Sequence, residues 1–201
     1  MFNNTITMVC LDGGEKQVDG IPGCRVNFKG SNNKVVFFEG SRFSNSVIVA
    51  SENNVIRLGK KSVFRGLVIY ALESVVKIGN GFSCWGLEIR AEERGTRVEI
   101  GNNCMFSKGI NMYPTDCHTI FDVATKECIN KGGTIKVGDH VWCGINVLFL
   151  KNTEIKSDSI IAAGSLVTKS FDNENILIAG SPAKVVRTGV NWDRRAPSEY
   201  K

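Results

Sequence analysis

Between residues 137 and 167 an apolar side chain recurs at every sixth position: Val137, Cys143, Phe149, Ile155, Ile161 and Val167. Two places before each of the later anchors stands a small or β-branched residue, Val141, Val147, Thr153, Ser159 and Ser165. Successive side chains on a strand alternate faces, so each such pair points inward together and the residue between them points out. Short strands that turn a corner every six residues, three corners to the turn, close into a triangular parallel β-helix of about 18 residues per coil. A longer version of the pattern, apolar-x-apolar and usually then Gly, runs upstream through Val36-Phe37-Phe38-Glu39-Gly40, Ile56-Arg57-Leu58-Gly59, Val76-Lys77-Ile78-Gly79 and Val98-Glu99-Ile100-Gly101. Its anchors Phe38, Leu58, Ile78 and Ile100 lie 20, 20 and 22 apart, a coil plus a few loop residues, and Val137 follows only after 37. One coil is therefore stretched by an insertion at about 113–133.

With 21 glycines against 4 prolines, turns should be many and helices few. The 201 residues, 42% hydrophobic and 22% charged, suit one long globular domain rather than a disordered or fibrous chain. The longest apolar runs, Val147 to Leu150 and Ile160 to Ala163, fall far short of the roughly 20 residues of a membrane span. Met1 to Cys10 has no basic stretch followed by an apolar one, so a cytoplasmic protein is expected. Seven cysteines without a C-x-x-C pair read as reduced thiols, neither a disulfide framework nor a zinc site. The net charge of +5 is modest and scattered, which permits a polyanionic ligand and gives no sign of nucleic-acid binding.

Three segments carry a resemblance: Val137-Gly138-Asp139-His140-Val141-Trp142-Cys143-Gly144, Ile161-Ala162-Ala163-Gly164-Ser165-Leu166-Val167-Thr168-Lys169, and Ala179-Gly180-Ser181-Pro182-Ala183-Lys184-Val185-Val186-Arg187. With the hexads they resemble the hexapeptide-repeat acyltransferases, and among these most the bacterial polysaccharide O-acetyltransferases. The resemblance implies an all-β, left-handed parallel β-helix of about seven coils over residues 35–188. An N-terminal cap over 1–34 and a short C-terminal tail over 189–201 complete the expected organisation. The hand comes from the family, since right-handed crossovers are the rule elsewhere. Acetyl-CoA as co-substrate, a carbohydrate acceptor and a homotrimer, with no metal, are implied by the same resemblance.

A histidine on the loop just before the V-G-D-H-V-W segment is the general base in that family, and His118 matches. An alcohol is a poor nucleophile at neutral pH, and an imidazole can take its proton as it attacks a thioester. Asp116, Asp122 or a backbone carbonyl can each orient such a ring, and the sequence does not choose among them. Cys117 adjoins His118, but neighbours on an extended segment point apart, which argues against a cysteine nucleophile. The outward Trp142 is either an interface anchor or, as the family implies, part of the active site, its N–H assisting the thioester. Following the family, Gly144, Ile145 and Ala163 lie along the pantetheine, Thr168 and Lys169 farther down the groove, and Lys184 and Arg187 near the nucleotide. His140, in a hexad corner, is expected to face solvent.

This chain departs from the family pattern at Cys143, where an aliphatic residue is usual, and at Ile145, where a polar one is common. Leu148, Ile160 and Leu166 are read as one apolar outer face and Arg57, Lys77, Glu99 and Lys136 as a charged one, which implies that one face is buried against a partner; that the assembly is three-fold is what the resemblance implies. The leading reading is an acetyl-CoA-dependent sugar O-acetyltransferase. The alternatives are an amino-sugar or antibiotic acetyltransferase of the same fold and a structural or binding β-helix. A zinc carbonic anhydrase needs three histidines per metal, and this chain has 2.

Overall fold

The computed structural model describes residues 3–200. The chain winds through three sheets in turn, which form the three faces of a triangular prism of about seven turns. The first face holds the parallel strands Thr5–Val9, Lys34–Phe38, Val55–Leu58, Val75–Ile78, Arg97–Ile100, Thr134–Val137 and Thr153–Ile155. The second holds Arg42–Ser44, Val63–Arg65, Ser83–Cys84, Met105–Phe106, Trp142–Cys143, Ile160–Ile161 and Ile176–Gly180. The third holds Cys24–Phe28, Ser46–Ala50, Leu67–Ala71, Leu87–Ala91, Ile110–Tyr113, Leu148–Leu150 and Leu166–Val167.

Both columns read from the hexads point inward: the six anchors from Val137 to Val167 are at most 4% exposed, and Val141, Val147, Thr153, Ser159 and Ser165 at most 2%. Corners need a residue in the left-handed region, which Asn and Gly enter most readily; Asn45, Asn53, Asn103, Asn146 and Asn152 do so, with φ between 49° and 59°. Inside the prism, aromatic rings stack coil on coil. Phe106 is fully buried between Phe82 and Phe149, with ring centroids 5.2 and 6.3 Å away. Phe106→Ala should therefore cost about 3–5 kcal/mol of stability, read as a lower denaturant midpoint at unchanged slope.

The structure corrects the register of the first repeat. Phe37, not Phe38, pairs with Leu58 and is buried, while Phe38 faces outward beneath the Arg57 guanidinium, 4.9 Å from its ring centroid. A one-residue slip exchanges faces, and the unbroken apolar run Val35 to Phe38 does not declare which face is which. The coil also begins inside the stretch expected as a cap. Thr5–Val9 pairs in parallel with Lys34–Phe38, and Cys24–Phe28 with Ser46–Ala50. Among the described residues only Glu15–Gln17, antiparallel on Thr5–Val9, covers that edge, and Ala183–Thr188, antiparallel on Ile176–Gly180, covers the edge of the second face at the other end.

Arg57, Lys77, Glu99 and Lys136 do form one outward row on the first face, continued by Glu154. The apolar set divides: Leu148 and Leu166 pair on the third face, but Ile160 belongs to the second and is only 8% exposed. Hexad counting gives inward and outward positions, and which of the three faces each occupies needs the corners as well. Among the described residues no helix is long and apolar enough to cross a membrane.

Candidate active site

The insertion fills residues 114–133, between Ile110–Tyr113 on the third face and Thr134–Val137 on the first. It leaves the prism at the edge those two faces share. Glu93, one turn below, clasps both ends of the loop, accepting hydrogen bonds from Thr115 Oγ1 and from the Gly132 N–H at 2.8 Å. These bonds hold its carboxyl below the usual carboxylate range. Asn130 organises the tip. Its Nδ2 donates to Asp116 Oδ2 and to the His118 carbonyl, both at 2.8 Å, and its Oδ1 accepts from the Ile120 N–H at 2.7 Å.

His118 is exposed and borders a shallow cavity of about 250 Å³ lined in part by Glu92, Glu93, Cys117 and Asn130. Neither carboxylate considered from the sequence bonds to its ring. Asp116 is paired with Lys151, whose ammonium holds the carboxyl below its ordinary range. Asp122 caps its own turn, accepting from the N–H groups of Ala124 and Thr125 at 2.8 Å. Asp116 thus shapes the loop that carries His118 and does not touch the imidazole. Partial burial, and then the charge of Glu92, push the Cys117 thiol up, which leaves it little thiolate at neutral pH.

Trp142 lies elsewhere, outward on the second face and 39% exposed. That face is opposite the edge from which the insertion projects, and Trp142 lines none of the His118 cavity. Within one chain the two residues are not brought together. At the corner after Trp142 the coils approach closely: a Cβ on Gly144 would stand 2.7 Å from the Ala163 nitrogen. Gly144 is thus required by the stack itself, and it leaves Ile145 and Ala163 exposed along one corner, joined by the Gly164 N–H donating to the Ile145 carbonyl at 2.8 Å. Thr168 and Lys169 are exposed beyond the last strand of the third face, the ammonium of Lys169 5.6 Å from the Phe171 ring centroid.

Lys184 and Arg187 sit on the closing strand Ala183–Thr188, three residues apart, a spacing that in a regular strand puts side chains on opposite faces. Here a bulge intervenes. Lys184 pairs with Ala179 and Arg187 with Leu177, two residues apart on the neighbouring strand, so both cations emerge on one side. Leu177 pairs in turn with Ile160, and Ile160 with Trp142, which puts the cations on the outer side of the face that carries the indole.

His140 points outward as expected, but it is not simply solvated: its side chain is 34% exposed. Its Nδ1 is 2.8 Å from Asp158 Oδ1, and its ring stacks on Trp192, with centroids 4.4 Å apart and planes 14° from parallel. Glu93, Asn130 and Lys151 are the residues that motif reading missed. Glu93 and Gly132 are 39 positions apart in sequence, and only the coil register shows that they are neighbours.

No protein-family model matches the sequence. It is 32% identical over 145 residues to a polysialic acid O-acetyltransferase of Escherichia coli O1:K1 / APEC, an alignment covering 72% of this chain and 46% of that protein. It is 31% identical over 166 residues to the polysialic acid O-acetyltransferase of Neisseria meningitidis, covering 83% of this chain and 74% of the other. The chain thus spans about half of the first relative and three quarters of the second. Among solved structures, the polySia specific acetyltransferase NeuO superposes with a TM-score of 0.79 at 26% identity, over 98% of this chain and 89% of that one. A Bacillus cereus N-acyltransferase, AntD, in complex with dTDP and coenzyme A shares the fold, with a TM-score of 0.59 at 13% identity over 76% of this chain and 83% of its own.

Proposed function

The chain belongs to the hexapeptide-repeat acetyltransferase family that contains these polysialic acid O-acetyltransferases, and from that premise we propose that it transfers an acetyl group from acetyl-CoA to a sugar hydroxyl of a bacterial surface polysaccharide or its precursor. The observation that carries the reading is the second face, where Trp142 and the cations Lys184 and Arg187 share one outer side, with exposed Ile145 and Ala163 at its corner. The coenzyme A bound by the structurally similar N-acyltransferase supports the choice of acyl donor. The pantetheine runs along the corner of Ile145 and Ala163, past Thr168 and Lys169, and the phosphates meet Lys184 and Arg187.

His118 takes the proton from the acceptor hydroxyl, the oxygen attacks the thioester carbonyl, and the tetrahedral intermediate expels coenzyme A, which recovers the proton from the imidazolium. The indole N–H of Trp142 donates to the oxyanion or the thioester sulfur. His118 and Trp142 belong to different copies. The insertion of one chain, with Ile120, Phe121, Val123 and Ile129 each at least 50% exposed, packs against the second face of the next, and a closed ring of three copies makes three such sites.

An acetyl-CoA consumption assay against sialic acid oligomers, neutral glycans, amino sugars and antibiotics tests the acceptor class. Turnover with hydroxyl acceptors is expected, and turnover confined to amines overturns the reading. Replacing Lys184 and Arg187 together by Ala should raise KM for acetyl-CoA about ten- to a hundredfold, on the order of 1.4–3 kcal/mol, with turnover at saturation nearly unchanged. An equal effect on coenzyme A lacking its 3′-phosphate would show that these cations do not read that phosphate.

A further inference from the structure

Past the closing strand the chain reverses at Gly189, with φ +67°, and runs back along the edge that the second face shares with the first. It is fastened at every coil it crosses. Asn191 Nδ2 donates to Asp158 Oδ1 at 3.2 Å, and Trp192 Nε1 donates to the His140 carbonyl at 2.8 Å. The Arg194 guanidinium donates to the Cys104 carbonyl at 3.1 Å and the Gly81 carbonyl at 3.2 Å. A merely solvated tail has no reason to bond to four successive coils. Within this segment Trp192 is the packed residue: alone among residues 191–200 it is not exposed. Its ring rests on His140, with centroids 4.4 Å apart, and the Arg194 guanidinium lies 5.7 Å from its centroid.

The result is a wall on one side of Trp142. The two indole centroids are 6.2 Å apart with their planes at 43°. Aromatic rings in direct contact have centroids about 4.5–7 Å apart, so a ligand does not pass between them. At the level of Trp142 the two edges of the second face therefore differ. The edge shared with the third face is open along the exposed Ile145 and Ala163, and the edge shared with the first is closed by Trp192 standing on His140. A thioester whose sulfur comes from the Ile145 edge carries its acyl chain on the far side of the carbonyl, directed across Trp142 toward Trp192. The recess of about 690 Å³ that the segment overhangs reaches one coil lower, to Met105, the register partner of Trp142. An acyl chain would have to turn along the prism to enter it.

We propose that Trp192 sets the length of the acyl group this chain accepts: held by His140 and by the tethers of its segment to Asp158, Cys104 and Gly81, its indole stops the acyl chain just past the acetyl methyl and excludes longer thioesters such as butyryl-CoA. The inference rests on the acetyl-transfer reading for the position of the donor, and adds the residue that limits the donor's size at that same site.

The test is calorimetric binding of coenzyme A, acetyl-CoA and butyryl-CoA to the full chain without acceptor. A surplus methylene against a fixed apolar wall discriminates by about 10–200-fold, so wild-type protein should bind butyryl-CoA at least about tenfold more weakly than acetyl-CoA. Trp192→Ala should bring the two within about threefold, with Trp192→Phe intermediate, while binding of coenzyme A itself moves less than about threefold. His140→Ala keeps the indole but removes the ring it rests on, and should relax the ratio part of the way. Equal binding of the two thioesters by wild type, or a ratio unchanged in Trp192→Ala, overturns the proposal. So does loss of the oligomeric state in Trp192→Ala, which would assign the indole to contact with a second copy of the chain. Discrimination that relaxes as expected in a protein that acetylates none of the acceptors overturns the function proposed above and leaves the size limit standing. Acetyl transfer to a hydroxyl without discrimination does the reverse, and failure to bind any of the three ligands overturns both.

Discussion

His118→Ala is expected to lower turnover by about 10²–10⁴-fold while acetyl-CoA affinity changes by less than about threefold, because the imidazole handles the acceptor proton and not the cofactor. The fold gives this experiment a clean background. The contacts that shape the loop tip at His118 are made by its backbone, its N–H donating to the Asp116 carbonyl at 2.7 Å and its carbonyl accepting from Asn130, and both survive truncation of the ring. Glu93 still clasps Thr115 and Gly132, and Lys151 still holds Asp116, so the loop should keep its shape. A folded variant that keeps more than about a tenth of wild-type turnover would remove the general-base assignment. His140→Ala does not serve as a silent second-histidine control. Its ring is the surface on which Trp192 lies, and loss of that stack loosens the wall beside Trp142.

What the sequence made legible follows from what repeats. Six-residue spacing fixed the inward columns from Val137 to Val167 because in that stretch every corner has the same length, so counting alone reproduces the register. Counting fails where apolar residues are adjacent. At Phe37 and Phe38 both parities fit the pattern, and only pairing with Leu58 and the row led by Arg57 decides between them. It fails also for Ile160, Leu148 and Leu166, which are all outward by parity but stand on two different faces. Site residues in motifs were read from their strings. Contacts made across coils were not, since Glu93 with Gly132, Asp116 with Lys151 and His140 with Trp192 are separated by 39, 35 and 52 positions and share no local pattern. Lys184 and Arg187 show the opposite case: their spacing argued against a common side in a regular strand, and a bulge unreadable from composition restores it.

Mixing two inactive variants should restore activity. The insertion carrying His118 leaves the edge between the first and third faces, and Trp142 occupies the second, so a chain cannot join its own pair without dismantling the stack that holds both. If each site takes its histidine from one copy and its indole from the next, His118→Ala and Trp142→Ala proteins each lack every complete site alone. Co-expressed in equal amounts and assembled at random into a three-fold ring, the His118 side of a given interface is intact half the time and the Trp142 side of its neighbour half the time. About one quarter of the sites then carry both wild-type residues, and activity should rise from the level of the single variants to about a quarter of wild type. Mixing the purified variants without dissociating them should give nothing until subunits exchange, which separates shared sites from simple contamination. A mixture that stays at the level of the separate variants after exchange would mean that His118 and Trp142 do not meet across copies, and a monomer by light scattering at micromolar concentration would exclude the ring on which the one-quarter figure depends.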